Sequence, residues 1–571
     1  MGSDEFRSRP GKSVRIWAAG GLAALLGSSP AFAVELVGNS DWQVRLDNTL
    51  SYNLGFRAQG IDDSIGNNPL YHQSDYKFDS AGDIVTNRIA DLMEFDAVYQ
   101  DNYGARLSAS AWKDFAYNDK VKSNPGELAP GTPYSALTAY SDNHYSHYTK
   151  KYFIEGAQLL DAFVFTNFSI AGRDASLKLG RLTQYWGNAL IFGSEGINYS
   201  QNASDFIKAF TSPGTQAKEL AIPRAQAYFQ VQLTPESSFA AQYFGEYAHS
   251  RLPEGGTYLG TFGFAFDGPD QIPGAGVPHG KNFEPDDFND NFGVKYAWSP
   301  SALRGTLGVY YRRLDETIPW VLIGATPATN YHLSYADGVD LFGLSLDKQI
   351  GAFSTGFEVS YRKNTAFSSA TGPLPTDLAG KEGARGDSLN LVANLLAGLT
   401  PTAFYDTGSF LVEATYTREM KVRSNADLYN SKDNAAACPS GDVDDGCSTK
   451  GAAGIAMQFD PQWLQALPGV DIDMPLFIQY GAYGNAANNF AFLNEGLAIY
   501  TAGVHALIQQ RYNVTVQYNG YHARTNGKTN AGAEGGVPNG TPGFPTYYNT
   551  TSMPFFWNDK GWVSLNLSYT F

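Results

Sequence analysis

Apolar and polar residues alternate with a period of two in many separate stretches of this 571-residue chain. In GWVSLNLSYTF at 561–571, the apolar side chains fall on the odd-numbered positions from 563 onward. The same alternation runs through AQAYFQVQL at 225–233, FEVSYRKN at 357–364, FLVEATYTRE at 410–419 and NVTVQYNG at 513–520. Side chains two residues apart lie on the same face of a strand. The pattern therefore predicts many strands, each with one apolar face and one polar face.

The length of the apolar runs restricts how such strands meet a membrane. After residue 33 no apolar run approaches the ~20 residues that a helix needs to cross a bilayer. A membrane-spanning chain without such helices must close its strands into a barrel, because only a closed sheet satisfies every backbone N–H and C=O group in lipid. The composition agrees, since 17% of residues are charged and 14% are aromatic, a balance that favours strands over helices.

The polar faces distinguish a barrel from the alternative, a soluble β-sandwich that ends on an edge strand. They carry ionisable residues, which is typical of a charged lumen behind a lipid-facing exterior. Short turns such as 100–104, 171–174 and 349–352 alternate with connections of roughly 15 to 40 residues, as in barrels with short periplasmic turns and long outer loops. We therefore predict one all-β domain at 34–571, a transmembrane antiparallel β-barrel of the bacterial outer membrane with about 18 strands, in a range of about 16 to 20.

The predicted strands lie near 42–58, 86–99, 104–117, 157–170, 175–186, 223–233, 238–248, 290–298, 303–314, 338–349, 352–363, 388–398, 408–420, 451–460, 471–483, 496–508, 512–523 and 561–571.

The first 33 residues have the features of a secretory signal peptide. Lys12 and Arg15 precede an apolar stretch at 16–26, and Ala31-Phe32-Ala33 has the small-x-small pattern of a cleavage site. The alternative, a membrane anchor, requires a longer apolar stretch. We predict cleavage near Ala33 and integration into the outer membrane.

Two further features agree with export. Cys438 and Cys447 lie nine residues apart in one predicted outer loop, which predicts a local disulfide, with two free thiols as the alternative. The last strand ends on Tyr569 and Phe571. This ending resembles the C-terminal assembly signal of bacterial outer-membrane barrels, which makes the barrel assembly machinery an expected partner, together with outer-membrane lipid and lipopolysaccharide.

Several segments resemble one bacterial family. They are FDSAGDIVTNRIADLMEFDAVY at 78–99, LLDAFVFTNFSIAGRDASLKLGRLTQYWG at 159–187, FEVSYRKNT at 357–365, ARGDSLN at 384–390, NEGLAIYTAGVHA at 494–506 and the ending at 561–571. Together they look like the domain-of-unknown-function 1302 family of outer-membrane proteins, across nearly the whole mature chain. The insertion ACPSGDVDDGC is not part of the family pattern.

The resemblance implies movement of apolar molecules or lipids across the outer membrane. It also implies two partners, a periplasmic or outer-membrane lipoprotein and an inner-membrane transporter of the resistance-nodulation-division type. The direction of transport and the identity of the substrate are not implied.

The connection at 187–222 is the candidate constriction, because a solvated loop rarely carries so many apolar residues. Glycines at 187, 193, 196 and 214 supply joints, and NASDFIKAF predicts a short helix capped by Ser204. We predict that this helix folds into the lumen, where its apolar side forms a gate or ligand contact; packing against other outer loops is the alternative. The candidate gate residues are Leu190, Ile191, Phe192, Ile197, Phe206, Ile207 and Phe210.

Alternation also assigns a set of charged residues to the lumen. Mixed signs at this depth favour ion pairs that brace a plug or the wall, and a selectivity ladder is the alternative. The set is Glu94, Asp96, Arg106, Asp114, Asp161, Lys178, Arg312, Glu358, Arg362, Glu413 and Glu419. In the aromatic stretch at 546–562, Trp562 is expected in the girdle at the bilayer interface, with a role at the channel mouth as the alternative.

Other chemistry has little support in the sequence. GDSL at 386–389 is not followed by a D-x-x-H dyad, so a serine nucleophile there has no base. The eight histidines show no metal-binding spacing, and a net charge of −16 without a basic stripe speaks against nucleic acid. We therefore expect no enzyme activity, no metal and no cofactor. The main hypothesis is a channel for hydrophobic compounds; a diffusion porin for small polar solutes is the first alternative, and an enzyme or adhesin anchored by a barrel is the second.

Overall fold

The chain closes into an antiparallel β-barrel of 18 strands. The structure, a computed structural model, describes residues 34–38, 41–260, 263–324, 329–371, 382–488, 492–530, 544–549 and 553–571. The predicted signal peptide at 1–33 lies outside the described residues. In the part of the chain that is described, no helix is long and apolar enough to cross a bilayer.

The barrel strands are β1 (Trp42–Arg57), β2 (Ile84–Tyr99), β3 (Tyr103–Asp114), β4 (Glu155–Ile170), β5 (Arg173–Leu182), β6 (Arg224–Thr234), β7 (Ser237–Phe244), β8 (Phe292–Trp298), β9 (Gly305–Leu314), β10 (Val339–Ile350), β11 (Phe353–Ala366), β12 (Arg385–Gly398), β13 (Thr407–Ser424), β14 (Gly451–Leu467), β15 (Val470–Asp473 and Leu476–Tyr483), β16 (Ala498–Ile508), β17 (Tyr512–His522) and β18 (Trp562–Thr570).

Each strand pairs with the next along the chain, and the first closes on the last. The β1–β18 register runs from Thr49↔Thr570 to Arg57↔Trp562. A further short strand, Val34–Gly38, pairs with the part of β1 that β18 does not reach. The predicted fold and all eighteen predicted strands are confirmed; the largest difference in bounds is at β14, which continues to Leu467 instead of 460.

The two faces of the wall differ as the alternation predicts. On β11, Phe357 and Val359 are 44% and 43% exposed on the outside, whereas Glu358 and Arg362 are 3% and 0% exposed on the inside. Apolar side chains cover the exterior, and aromatic pairs such as Tyr512–Tyr569 lie at its short-turn end with ring centroids 4.7 Å apart. An apolar outer band with aromatic residues at its border is the surface of a transmembrane barrel.

Within the described residues, the long connections contain short elements. The helices are α1 (Asp63–Gly66), α2 (His72–Tyr76), α3 (His147–Thr149, followed by a π-helical turn at Lys150–Ile154), α4 (Phe206–Thr211) and α5 (Ala217–Leu220). The 3₁₀ turns are Tyr134–Ala136, Ala426–Leu428, Val443–Asp445 and Met553–Trp557, and the small two-stranded sheets are Glu127–Ala129 with Thr132–Pro133, Ala203–Ser204 with Ala221–Ile222, and Trp320–Ile323 with Tyr331–Ser334.

The connections at the long-loop end pack into a layer with its own core. Tyr71, Tyr258 and Trp557, from three different connections, are buried together there. Arg57 pairs with Asp559 at 3.1 Å beneath them. Burial of this ion pair among aromatic rings ties the last connection to the end of β1.

The predicted position of Trp562 in the outer girdle is wrong. Its side chain is 1% exposed and its indole N–H donates to the Tyr521 hydroxyl at 3.4 Å. The reason is parity: 562 is an even-numbered position on β18, and the even positions of this strand face the lumen.

The cysteines form the predicted disulfide. Cys438 and Cys447 are joined within the connection between β13 and β14, with Cα atoms 5.9 Å apart. Both side chains are buried, and no free cysteine exists among the described residues.

Candidate functional site

Residues 187–222, here called the inner segment, contact inward-facing side chains from both sides of the barrel. The segment leaves the end of β5 and returns to the start of β6. Between those points its first half contacts β11 to β13 and its second half contacts β18, β1 and β2. It therefore crosses the lumen.

Two buried carboxylates on the wall bind backbone N–H groups of the first half. Glu413 on β13 accepts from the N–H groups of Leu190, Ile191 and Phe192 at 2.7, 2.8 and 2.6 Å. Glu358 on β11 accepts from those of Ala189 and Ile197 at 3.0 and 2.7 Å. Such hydrogen bonds stabilise a buried carboxylate. They also give partners to backbone N–H groups that lie outside any helix or sheet.

Three buried guanidinium groups bind the carbonyl groups that follow. Arg362 on β11 donates to the Gly196 carbonyl at 3.2 Å. Arg312 on β9 donates to the carbonyls of Ile197 and Tyr199 at 2.8 and 2.7 Å. Arg224 on β6 donates to the Gln201 carbonyl at 2.7 Å. These charges are thus bonded to the backbone of the inner segment, so the wall holds this part of the segment through main-chain atoms.

The second half begins with α4. Its N-cap is Asp205, which accepts from the Lys208 N–H at 2.9 Å and pairs with Arg251 at 2.7 Å. The predicted cap, Ser204, is wrong by one residue, because the 203–204 backbone is extended and pairs with 221–222. The carboxylate of Asp205 combines a cap with an ion pair, which a serine hydroxyl does not provide.

The turn after α4 rests on β1 and β18. The Pro213 carbonyl accepts from the side-chain amides of Asn53 and Asn566, both at 2.8 Å. Gly214 has φ +84°, and a Cβ there would lie 2.5 Å from the Asn566 side chain. Glycine is therefore required at this position both for the backbone conformation and for the close approach to the wall.

The aromatic residues of α4 contact the last connections of the chain. The Phe206 and Phe492 rings are 5.7 Å apart, and those of Phe210 and Trp557 are 5.2 Å apart. These four residues are called the aromatic cluster below. Phe210 and Trp557 are buried, whereas Phe206 and Phe492 keep partly exposed faces.

The other candidate gate residues lie in three separate places. Phe192 is buried against Ala452, Ala456 and Leu493, with Ile191 half-buried beside it. Ile197 is buried in a different cluster with Trp186 and Tyr310. Ile207 is buried in the core at the long-loop end, and Leu190 is half-buried. The seven residues therefore do not form one continuous surface.

A second group of lumenal charges is more open. Arg106 lies 3.3 Å from both Asp96 and Asp161 and also pairs with Glu94. Glu94 pairs in turn with Lys218 of the inner segment. The Arg106 side chain is 28% exposed, so this part of the lumen, beside β2 to β4, presents charge to solvent.

Three more of the predicted lumenal charges lie outside these two groups. Asp114 is buried and accepts from the Thr86 hydroxyl at 2.8 Å and the Ala116 N–H at 2.9 Å, so it orders the turn at the end of β3. The Lys178 ammonium lies 5.8 Å from the centre of the Phe163 ring. Glu419 accepts from the Tyr429 hydroxyl at 3.3 Å, near the outer end of β13.

One titratable group of the inner segment has a pKa near neutrality. Burial raises the pKa of Glu195 to about 7, and the nearby Arg362 guanidinium opposes this shift. One Glu195 oxygen accepts from the Ser194 hydroxyl at 2.6 Å. This carboxyl group therefore gains a charge near pH 7 inside the anchored half of the segment.

Sequence reasoning missed several residues of the site. Asn53 and Asn566 lie on the polar faces of their strands, but uncharged amides gave no reason to single them out. Arg224 is the first residue of its strand, where alternation is not yet visible. Phe492 and Trp557 are far from 187–222 in sequence, so only the fold brings them to Phe206 and Phe210.

Comparisons with known proteins give a family and distant structural likenesses. No curated protein matches the chain in sequence. Among solved structures, OccK9 (OpdG) of Pseudomonas aeruginosa has 11% identity and a TM-score of 0.39 over 92% of this chain and 98% of its own. OpdK of the same organism, solved with vanillate, has 9% identity and a TM-score of 0.40 over 92% and 98%. OccAB1 of Acinetobacter baumannii has 7% identity and a TM-score of 0.42 over 95% and 99%. Likenesses at this level carry no argument about the ligand of this chain.

The match of the sequence to a family is stronger evidence than these structural likenesses. The model of one family, described as Protein of unknown function (DUF1302), matches residues 14–571, and this confirms the resemblance found in the sequence. The chain belongs to the DUF1302 family.

Proposed function

We propose that this protein is a channel of the bacterial outer membrane for hydrophobic small molecules or lipids, with the inner segment as its constriction. The observation that carries the proposal is the course of that segment across the lumen. A barrel of about eighteen strands is wide enough for an aqueous channel unless something fills it. Here the Glu413 and Glu358 carboxylates hold one end of the segment, and Asn53 and Asn566 hold the other.

The location in the outer membrane follows from the apolar exterior together with the predicted signal peptide at 1–33. Bacterial barrels of this kind enter that membrane from the periplasm. Tyr569 and Phe571 stack at the end of the chain with ring centroids 5.4 Å apart, in the position where the barrel assembly machinery would bind a C-terminal signal. Lipid and lipopolysaccharide then cover the exterior.

The hydrophobic substrate class rests on the surfaces beside the constriction. Phe206 and Phe492 keep partly exposed aromatic faces within the barrel and its loop layer. Exposed aromatic surface at such a place favours apolar ligands, because a ligand that packs against these rings removes apolar area from water. An apolar molecule that reaches the periplasm requires a carrier, which is the role we propose for a lipoprotein partner and an inner-membrane transporter of the resistance-nodulation-division type.

A diffusion porin for small polar solutes is the second candidate. The observation that favours it is the open group of charges around Arg106, which is suited to ions and polar solutes. The two candidates differ in what the aromatic cluster does: it binds the substrate in a channel for apolar compounds, and it is only packing in a porin.

Substitution within the aromatic cluster distinguishes them. We would compare the wild-type protein with Phe206→Ser/Phe210→Ser, using Phe404→Ser as a control because Phe404 is 81% exposed on a short turn outside the lumen. Each protein is purified gently from its native outer membrane, and solvent extracts are analysed by mass spectrometry. Ion conductance in planar bilayers is recorded in parallel.

For a hydrophobic-compound channel, an apolar molecule is present in stoichiometric amount in the wild type and in the control, and is lost from the double variant. An extract with only ordinary lipid from all three proteins, and high conductance of the wild type to small ions, would contradict the proposal and support the porin.

A further inference from the structure

Two prolines interrupt the barrel wall at one place. All eighteen strands lie within the described residues, and Pro461 in β14 and Pro475 between the two parts of β15 are the prolines in their course. Proline is normally confined to sheet edges and bulges, because it lacks the N–H group that a ladder requires. A closed barrel has no edge, so two prolines in neighbouring strands need another explanation.

Each proline removes one backbone hydrogen bond from a different strand interface. Between β14 and β15, the Met474 N–H donates to the Pro461 carbonyl at 3.1 Å, and Pro461 has no N–H to return the bond. Between β15 and β16, the Gly503 N–H donates to the Pro475 carbonyl at 3.1 Å, and Pro475 returns none. A regular antiparallel pair at such positions exchanges two bonds. Both sides of β15 are therefore weakened at the same level.

The interruption is not a bulge. Phe459 pairs with Leu476 on one side of it and Gln462 with Asp473 on the other, so that the same number of residues separates the pairs on each strand. The same holds between β15 and β16, where Leu476 pairs with Ala502 and Asp473 with His505. No residue is inserted, and the prolines weaken the wall without changing its register.

The outer side of the wall faces lipid at the level of the two prolines. Val504 follows Gly503 on β16 and pairs with Val516 on β17, and both valines are 49% exposed on the exterior. Tyr512, at the aromatic border, is four residues from Val516 on β17, which is a distance of about 13 Å at the rise of a strand. The interruption therefore lies within the apolar band and not in a solvent-exposed turn.

On its inner side an apolar surface leads to the same place. Phe477, two residues from Pro475 and on the same face, packs beside Phe192 and Ala456. Leu493 joins this group and is the neighbour in sequence of Phe492 in the aromatic cluster. Gly503, on the lumenal face of β16 with His505, adds no side chain across the opening. Apolar groups thus extend from the constriction toward the weakened wall, where the Asp473–His505 pair lies beside Gly503 on the lumenal face.

We propose that the wall between β14 and β16 opens laterally at Pro461 and Pro475, so that apolar molecules pass between the lumen and the membrane core there. The inference rests on the proposed function and adds a route to it. Passage through the wall keeps an apolar molecule out of the charged part of the lumen around Arg106. The opening separates β15 from its neighbours where each interface lacks one backbone bond, and on the β16 side it also breaks the hydrogen bond between Asp473 and His505 at 2.6 Å.

Bridging the wall beside the interruption tests the route. Phe459→Cys and Leu476→Cys place two thiols directly opposite each other, and a short bis-methanethiosulfonate reagent links them. The matched control is Leu344→Cys with Val359→Cys, a directly paired and lipid-facing position on β10 and β11, where the wall contains no proline. The probe is N-phenyl-1-naphthylamine, which fluoresces when it enters the apolar phase of the outer membrane, added to cells that make each variant.

We expect the bridge at Phe459 and Leu476 to remove the uptake that depends on the barrel, reduction to restore it, and the bridge in the control to leave it unchanged. A second variant, Pro461→Val/Pro475→Val, supplies the two missing N–H groups without any bridge, and we expect it to slow uptake.

Uptake that persists with the wall bridged would overturn the lateral opening and leave the proposed function intact. If unbridged barrels accelerate uptake no more than cells without the protein, the proposed function itself fails, and the lateral opening with it.

Discussion

The substitution Glu413→Gln tests how the inner segment is held. The Glu413 carboxylate accepts three backbone N–H bonds, from residues 190, 191 and 192, and a fourth from the Asn394 side chain at 3.1 Å. A glutamine has one acceptor oxygen in place of two and is neutral, so at least one of the backbone donors loses its partner and the others lose a charged acceptor. A hydrogen bond to a charged group contributes about 1.5–3 kcal/mol, and a buried unsatisfied donor costs about 1–3 kcal/mol.

Together these changes weaken the docking of the segment by about 3–6 kcal/mol, which lowers the ratio of docked to undocked segment by at least about a hundredfold. The barrel wall itself keeps its ladder, so we expect the unfolding temperature of the barrel to change little. The effect on the segment is measured by single-channel conductance in planar bilayers and by limited proteolysis within 187–201, both of which should increase.

Glu155→Gln is the control, because the Glu155 carboxylate is 62% exposed and pairs with Lys113 at the surface. If Glu413→Gln conducts like the wild type and resists proteolysis to the same degree, the wall charges do not anchor the segment, and the reasoning from its backbone bonds is refuted.

Three further predictions concern Glu195, Gly214 and the disulfide. Because burial raises the pKa of Glu195 from 4.5 to about 7, docking is most stable below the ordinary carboxyl pKa and weakens as the pH rises toward 7; conductance should increase between about pH 4.5 and pH 7 and change little above pH 7, and Glu195→Gln should weaken that dependence. Gly214→Ala should lower the content of copurified ligand through strain and contact with the wall, whereas Gly131→Ala, with φ +81° and nothing within 4 Å of the added Cβ, measures the strain alone and should leave the ligand unchanged. Replacement of Cys438 and Cys447 by serine should speed proteolysis of the 425–450 connection, by loss of about 2–3 kcal/mol of local stability, without altering the unfolding temperature of the barrel.

The sequence was sufficient to predict the barrel because lipid and lumen impose opposite demands on neighbouring residues. Phe357 and Glu358 illustrate this, since one is exposed to lipid and the other is buried in the lumen. An alternation enforced by the environment on both sides is visible in a single sequence, and turn lengths then fix the number of strands. Trp562 was misplaced because an aromatic residue at a strand end is typical of the girdle, although its even-numbered position on β18 has the parity of the polar residues that face the lumen.

The candidate site could be predicted from the sequence only in part. Parity shows that Glu358, Arg312 and Glu413 face inward, but not what they bind, and their partners are backbone atoms that leave no trace in the sequence. The apolar residues of 187–222 were grouped because they are close in the chain. In the structure Phe192, Ile197 and Phe210 belong to three different clusters, since the segment crosses the lumen and contacts different parts of the barrel along its length.

The anchoring of the inner segment through its main chain has a consequence for how such a channel changes over time. Carbonyl and amide groups are the same in every residue, so the side chains at 190 and 191 can be exchanged while these backbone bonds remain. The anchored main chain is then constant, and the side chains that it presents are variable. Libraries that vary those two positions alone should yield barrels that assemble normally and differ in what they admit.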